Sequence, residues 1–109
     1  MKKAPEHLRP ATRRWFASVV RGWQLDEHHV RLLTLACEAW DRGEEARERL
    51  AVEGLTVKDR FGQVKPHPCA GIERDAASTF RQLVRELDLD TEPAPEAARP
   101  PQLGRYRSA

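Results

Sequence analysis

Proline and glycine divide this chain into three stretches of helical periodicity, and this division constrains the fold more than any other feature. Pro10 is suited to the first turn of a helix, where its missing N–H needs no partner, and Gly22 is suited to the end of that helix. Asp26 is suited to cap a second, longer helix. The predicted helices run from Pro10 to Gly22, from the Asp26 cap to about Glu53 before Gly54, and from about Pro68 or Cys69 to Leu87.

Apolar residues recur every three or four positions in each stretch, as they do on the buried face of a helix. They are Trp15, Val19 and Trp23 beside Phe16 and Val20 on the first helix; Val30, Leu33, Cys37 and Trp40 beside Leu32, Ala36, Ala39, Ala46 and Leu50 on the second; and Ile72, Ala76, Phe80, Leu83 and Leu87 beside Val84 on the third. Because the second helix carries two adjacent apolar stripes, we expect it to contact more than one neighbour.

The segment between the second and third helices has a different pattern. β-Branched residues flank a polar turn that contains Gly62, and Pro66 ends the segment, so residues 55–65 are predicted to form a short β-hairpin or an extended loop. A lone two-stranded hairpin is only marginally stable in water. We therefore expect it to lean on the helices or on a neighbouring molecule.

These elements predict a mainly α fold, in which a short N-terminal helix packs against a long two-helix hairpin. Residues 1–90 form the predicted ordered domain. Prolines are dense from residue 91 onward, so 91–109 are predicted to be a disordered tail. A domain of this size buries roughly two-thirds of its unfolded surface, and association with further copies would add to its stability.

The net charge of +2 conceals two basic regions. Residues 1–25 contain six cations against Glu6 alone, whereas the middle of the second helix is mainly acidic. Such asymmetry suits binding of a polyanion at one end, and equally suits packing between identical subunits. The candidate DNA contacts are Lys2, Lys3, Arg9, Arg13, Arg14 and Arg21 in the N-terminal region and Lys58, Arg60 and Lys65 in the hairpin. The alternative is that they are ordinary solubilising charges.

Several classes of protein are disfavoured by what the sequence lacks. No stretch approaches the roughly 20 apolar residues that span a bilayer, and no apolar core follows the basic start as in a signal peptide. No phosphate-binding glycine-rich loop or nucleophile elbow is present, so we expect no enzymatic activity and no cofactor. Cys37 and Cys69 are interpreted as small buried hydrophobic residues. Adjacent side chains on a helix point about 100° apart, so we expect His28 and His29 to bind no shared metal.

From Leu25 onward the order of motifs resembles the small terminase subunit of cohesive-end tailed phages. The resemblance covers roughly residues 8–90. It is carried by LDEHH at 25–29, LL at 32–33, AWDR at 39–42, GLT at 54–56, DRFG at 59–62, PHP at 66–68, IERDA at 72–76 and FRQLVRELDL at 80–89. Arg9 stands where related sequences often have a capping serine, and the tail after Asp90 lies outside the likeness.

This resemblance implies a non-enzymatic subunit that assembles into a ring of about eight to ten copies in the host cytoplasm. The ring would bind viral double-stranded DNA and recruit the large subunit, which carries the ATPase and nuclease. The predicted subunit contacts are Trp15, Trp23, Leu32, Leu35, Trp40 and Phe61. Packing of the tryptophans in the core or between subunits is favoured over stacking on bases.

Two other functions stay open from the sequence. The first is a small dimeric DNA-binding regulator, because the first helix, Gly22 and the second helix superficially form a helix-turn-helix. Against it, the second helix is too long for a usual recognition helix and begins with Asp26 and Glu27, which repel phosphates. The second alternative is an interaction protein that does not contact DNA.

Overall fold

The computed structural model describes residues 3–89 and has the predicted mainly α architecture. Its elements, in chain order, are α1 (Pro10–Gly22), α2 (Glu27–Glu53), β1 (Thr56–Lys58), β2 (Val64–Pro66) and α3 (Pro68–Leu87). The predicted helix boundaries are confirmed, and the segment between α2 and α3 is the β-hairpin rather than the extended loop. The predicted tail, residues 91–109, and Lys2 lie outside the described residues.

α2 and α3 form an antiparallel hairpin of helices. At its closed end Glu53 contacts His67, and further along Trp40 contacts Phe80. Between these contacts the two helices approach closely at Gly43, where an added Cβ would lie 3.3 Å from the Cβ of Ala76. Gly43 therefore permits the close approach of the helices, a reason that the sequence did not disclose.

The main core lies at the open end of this helical hairpin, where α1 packs against both arms. Phe16 and Val19 of α1 meet Leu33 and Cys37 of α2 and Leu87 of α3, and Leu8 closes the cluster from the segment before α1. Phe16 and Leu33 are at most 1% exposed. Burial of a side chain of that size contributes about 1.5–3 kcal/mol, so this cluster is the main source of the protomer's stability.

A second, smaller cluster lies near the β-hairpin. It contains Ala46 and Leu50 of α2 and Cys69 of α3, with Ala70 packed beside it. α1 does not reach this end, so one flank of α3 is uncovered. This explains why Ile72, which was predicted on the buried face, is 42% exposed: that prediction was wrong.

α1 ends on a backbone conformation other than the expected one. α1 was expected to end on a left-handed glycine, but Gly22 is not among the residues with positive φ, and Trp23 follows it in an extended conformation. α3 ends on Asp88, whose φ of 58° is left-handed although it is not glycine. Gly54, which was predicted to close α2, does follow its last residue and has a positive φ of 91°, a conformation that favours glycine.

The β-hairpin projects beyond the helices. Its strands pair antiparallel, with Val57 opposite Lys65, and all six strand residues are exposed. Among residues 3–89, no helix is long and apolar enough to span a bilayer.

Candidate functional site

The start of α1 is held by a carboxylate from α2. One oxygen of Asp41 accepts the backbone N–H of Arg9 at 2.8 Å, and the other accepts the hydroxyl of Thr12 at 2.5 Å. Thr12 is 5% exposed. A negative charge at the N-terminus of a helix also interacts favourably with the helix dipole. Asp41 thus supplies the cap that Arg9, a poor capping residue, cannot supply from its own side chain.

The Arg9 side chain is engaged with another acidic residue of α2. Its guanidinium makes two hydrogen bonds to the Glu48 carboxylate, at 2.8 and 3.2 Å. This hydrogen bonding holds the pKa of Glu48 below its usual value and raises the pKa of Arg9. His7 lies 2.9 Å from Glu38 on the same face. Of the predicted DNA contacts, Arg9 would therefore have to leave an intramolecular partner in order to bind phosphate.

The other arginines of α1 form an exposed basic face. Arg13, Arg14 and Arg21 are exposed, and Lys3 is exposed in the segment before the helix. Within residues 3–89 no carboxylate pairs with any of these four side chains. Arg13 and Arg14 line one shallow surface depression together with Pro10. Their positive charges are therefore available to an external anion.

The basic residues of the β-hairpin differ in their surroundings. Lys65 lies 3.4 Å from the carboxylate of Asp59, which also accepts the backbone N–H groups of Phe61 and Gln63. The hydrogen bonds from Gln63 and Phe61 and the contact with Lys65 hold the pKa of Asp59 below its usual value. The Arg60 guanidinium lies over the Phe61 ring, 5.2 Å from its centroid. Lys58 is exposed.

A second feature of the hairpin is its exposed apolar surface. Neither face of the two strands is covered by the helices. The side chains that form this surface, here called the hairpin knob, are Leu55 (71% exposed), Val57 (36%), Phe61 (76%) and Val64 (63%). Exposed apolar groups that lie together on one small element make this surface a candidate for contact with another molecule.

An apolar groove lies between α1, α2 and α3, near the middle of the helical hairpin. The Phe80 ring lies between Trp15 and Trp40, with centroid distances of 5.9 and 5.0 Å. Ala11 and Thr12 complete the lining. We call these five residues the aromatic groove; its volume is about 250 Å³. Phe80 was predicted only as a buried helix position, so its part in this groove was missed.

The predicted subunit contacts divide into two groups in the structure. Leu35, Trp40 and Phe61 are exposed, by 51%, 46% and 76% respectively. Trp15, Trp23 and Leu32 are half-buried and pack against the main core. The first group is available to a neighbouring subunit without any rearrangement.

His67 has a structural role, the capping of α3, that was not predicted from the sequence. Its Nδ1 accepts the backbone N–H of Cys69 at 2.9 Å and so caps α3, and its Nε2 donates to Glu53 at 2.6 Å. His67 is 7% exposed and joins the end of α2 to the start of α3. The hydrogen bond from His67 holds the pKa of Glu53 below its usual value. The signal that could have revealed it is a polar residue placed directly before Pro68, where a cap belongs.

The histidines at the start of α2 lie closer together than the helical angle suggested. The rings of His28 and His29 have centroids 4.0 Å apart, and one possible ligand atom from each lies within 4.8 Å of a carboxylate oxygen of Asp26. However, Nδ1 of His29 accepts the backbone N–H of Asp26, which completes the first turn. Burial and the neighbouring His28 lower the pKa of His29 and favour its neutral form. These contacts therefore stabilise the first turn of α2.

Both cysteines are buried and unpaired, as expected. Burial, with a smaller effect of the nearby Asp41, raises the pKa of the Cys37 thiol to about 12. The thiolate, which is the reactive form, is therefore scarce at neutral pH.

Comparison with known proteins identifies one family. A family model described as phage terminase, small subunit, matches residues 13–99. No curated protein and no solved structure matches the chain. The matched range begins within α1 and includes α2, the β-hairpin and α3. It continues to residue 99, so the expectation that the likeness ends at about residue 90 was wrong.

Proposed function

The chain belongs to the phage terminase small-subunit family, and we therefore propose that it assembles into a ring that binds viral DNA and recruits the large terminase subunit. Membership of the family supports a role in phage DNA packaging. In this proposal the subunit carries out no catalysis, works in the host cytoplasm, and leaves ATP hydrolysis and DNA cleavage to the large subunit. The ring has about eight to ten copies.

The basic face of α1 is the observation that carries the proposed contact with DNA. Arg13, Arg14 and Arg21 are exposed and have no carboxylate partner within the described range. Arginines that neutralise phosphates release the counterions of DNA, which gives sequence-independent affinity. Lys3 lies in the segment that leads into the same helix. Lys2 extends that segment in the sequence.

Ring assembly would make this face effective. With a net charge of +2, a single subunit binds DNA weakly. A ring presents the same arginines once per subunit, and such multivalency raises avidity by roughly a hundredfold or more. The exposed Leu35, Trp40 and Phe61 supply apolar surface for the contacts between subunits.

The β-hairpin is the weaker candidate for contact with DNA. Lys65 is engaged by Asp59, and Arg60 lies over Phe61. The surrounding surface is apolar, whereas protein surfaces that contact DNA are more polar and more positively charged than those between proteins. Lys58, Arg60 and Lys65 therefore rank below the α1 arginines as phosphate ligands.

A dimeric helix-turn-helix regulator is the alternative, and two observations count against it. α2 has 27 residues, which is long for a recognition helix. Its start carries the carboxylates of Asp26 and Glu27, at the end where a recognition helix contacts base edges. These features support a structural role for α2.

The large subunit would meet either the tail or the acidic face of α2. Glu38, Asp41 and Glu48 already bind His7, Arg9 and Thr12, so that face is partly neutralised within the protomer. Removal of residues 91–109 should therefore abolish or weaken binding of the large subunit and leave assembly intact. Size-exclusion chromatography with light scattering tests assembly, and loss of the oligomer on truncation would contradict this assignment.

The contact with DNA is tested by the salt dependence of binding. Replacing Arg13 and Arg14 with alanine should weaken binding and reduce the slope of log K against log salt by about 2 for each ring subunit in contact with DNA. The matched control is Arg31→Ala with Arg74→Ala, which removes the same charge from exposed arginines that have carboxylate partners 3.0 and 3.4 Å away. If the two double variants weakened DNA binding and lowered the salt slope equally, the α1 arginines would contribute only through the net charge and would not form a specific contact.

A further inference from the structure

We propose that neighbouring subunits join head to tail, with the hairpin knob of one subunit seated in the aromatic groove of the next. This inference rests on the proposed ring and specifies its contact. It takes a second copy of this chain as the partner that covers both surfaces.

The hairpin knob gains no stability from burial within its own subunit and would gain it from a partner. Isolated two-stranded hairpins are marginal in water, and this one gains no cover from the helices because all of its strand residues are exposed. Phe61, at 76% exposed, stands at the tip. The turn beneath it is fixed by three hydrogen bonds to Asp59: two to its carboxylate and one from the backbone N–H of Gly62. The knob is therefore a formed projection that already has the shape to enter a groove.

The aromatic groove has the size and chemistry to receive an aromatic side chain. A cavity of about 150 Å³ accepts benzene, and the groove has a volume of about 250 Å³. Its lining is apolar apart from Thr12, whose hydroxyl is already donated to Asp41. The rings of Trp40 and Phe80 offer edges and faces to an entering phenyl ring, an arrangement that aromatic pairs favour.

The two surfaces do not meet within one subunit. Trp40 precedes the end of α2 at Glu53 by 13 residues, so the groove lies about 20 Å along the helix from the base of the β-hairpin. Both surfaces remain exposed in the same protomer. A two-fold dimer that packed knob on knob would leave each groove open. Knob-in-groove packing covers both. A contact between two different surfaces repeats from subunit to subunit and forms a ring when the rotation between neighbours closes, as the proposed ring requires.

The charges around the groove also favour head-to-tail packing of the knob into the groove. Two carboxylates beside Trp40 and Phe80, those of Glu44 and Glu73, share the single guanidinium of Arg47 at 2.6 and 3.5 Å. The β-hairpin that bears the knob also carries Lys58 and Arg60, which have no carboxylate partner within residues 3–89. Arg81 also lies beside the groove, so the charge match is confined to the side of Glu44 and Glu73. In the docked arrangement Lys58 and Arg60 of one subunit face Glu44 and Glu73 of the next and complete the charge pairing.

A mixing experiment tests the head-to-tail contact. Phe61→Asp places a charge at the tip of the knob and leaves the groove intact. Ala11→Arg obstructs the groove with a long charged side chain and leaves the knob intact. Both positions are exposed, so each variant should keep the helix content of the parent protein by circular dichroism. By native mass spectrometry, each variant alone should be monomeric at a concentration at which the parent is oligomeric. Their equimolar mixture should form a dimer of one copy of each and nothing larger.

Matched controls separate the contact from general effects of charge. Gln63→Asp adds the same charge to the same turn, and Ser18→Arg adds the same charge to an exposed position of α1; both should assemble as the parent does. Leu55→Asp, at a second knob position, should behave as Phe61→Asp does.

The outcomes distinguish this contact from the ring itself. A parent protein that stays monomeric overturns the ring, and the contact with it. An oligomeric parent whose Phe61→Asp and Leu55→Asp variants still assemble overturns the contact alone. Single variants that are monomeric but do not pair on mixing overturn the head-to-tail arrangement.

Discussion

The two ends of the helical hairpin differ in what covers their apolar side chains. At the open end, Leu8, Phe16, Leu33 and Leu87 are at most 4% exposed, and the segment before α1 is tied down by hydrogen bonds to α2. At the β-hairpin end, Phe61 and its neighbours are exposed. The open end therefore holds the larger part of the protomer's core, whereas the exposed side chains of the β-hairpin are left for contacts with further molecules. Stability and assembly thus use different residues, and substitutions can separate them.

The largest expected difference is between two phenylalanines. Phe16→Ala should destabilise the protomer by about 3–5 kcal/mol, because it leaves a cavity in the main core. Phe61→Ala should change protomer stability by less than about 0.5 kcal/mol, as exposed substitutions do. Urea unfolding, followed by circular dichroism at a dilution at which subunits are dissociated, measures both values. Similar losses of unfolding free energy for the two variants would contradict the conclusion that the core lies at the open end and that Phe61 contributes little to protomer stability.

The next largest effect concerns the cap of α1. Asp41→Ala should cost about 1–3 kcal/mol, because it leaves the buried hydroxyl of Thr12 and the N–H of Arg9 without their acceptor. Glu45→Ala, one helical turn further along α2, removes an exposed carboxylate whose contact with Arg49 is 3.7 Å long. That control should stay within about 0.5 kcal/mol of the parent. The same urea unfolding experiment measures both variants. Equal losses of unfolding free energy would show that Asp41 does not cap α1.

A smaller effect should appear in acid at the junction of α2 and α3. The folded-state pKa of Glu53 lies below its unfolded value because His67 donates a hydrogen bond to it. The stability that this contact contributes is therefore complete above the unfolded pKa of about 4.3 and is lost as pH falls through the folded pKa. Glu53→Gln keeps an acceptor for His67 but cannot titrate. Melting temperatures between about pH 5 and pH 3 should fall less steeply for the variant than for the parent. Parallel curves would mean that Glu53 contributes nothing to the acid sensitivity.

The smallest effect compares the two cysteines. Cys37 lies in the main core and is 0% exposed, whereas Cys69 lies near the β-hairpin and is 7% exposed. Local opening is easier where fewer apolar contacts hold a segment. Labelling with iodoacetamide at pH 8, followed by peptide mapping, should therefore modify Cys69 before Cys37. Faster modification of Cys37 would reverse the order of stability assigned to the two ends.

The sequence was sufficient for features that depend on neighbouring residues. Pro10, Gly54 and Pro68 act through local backbone geometry, so the bounds of the helices and the position of the β-hairpin could be predicted. The apolar stripes also identified which face of α1 enters the core. Ile72 was misassigned because periodicity identifies an apolar face but not the partner that covers it.

The contacts between distant segments could not be predicted. The cap on α1 depends on Asp41, which follows Arg9 by 32 residues, and the aromatic groove depends on the register in which Phe80 meets Trp40. Register follows from the packing of all three helices, including the close approach at Gly43. For the same reason the sequence identified the α1 arginines as basic but not that Arg9 is engaged by Glu48.

The central claim is that this terminase small subunit works as a closed ring. Native mass spectrometry of the purified protein at near-physiological salt measures this most directly. We expect one closed species of about eight to ten subunits. A protein that remains a monomer or dimer at high concentration would contradict it, and the small dimeric DNA-binding regulator would then be the better explanation.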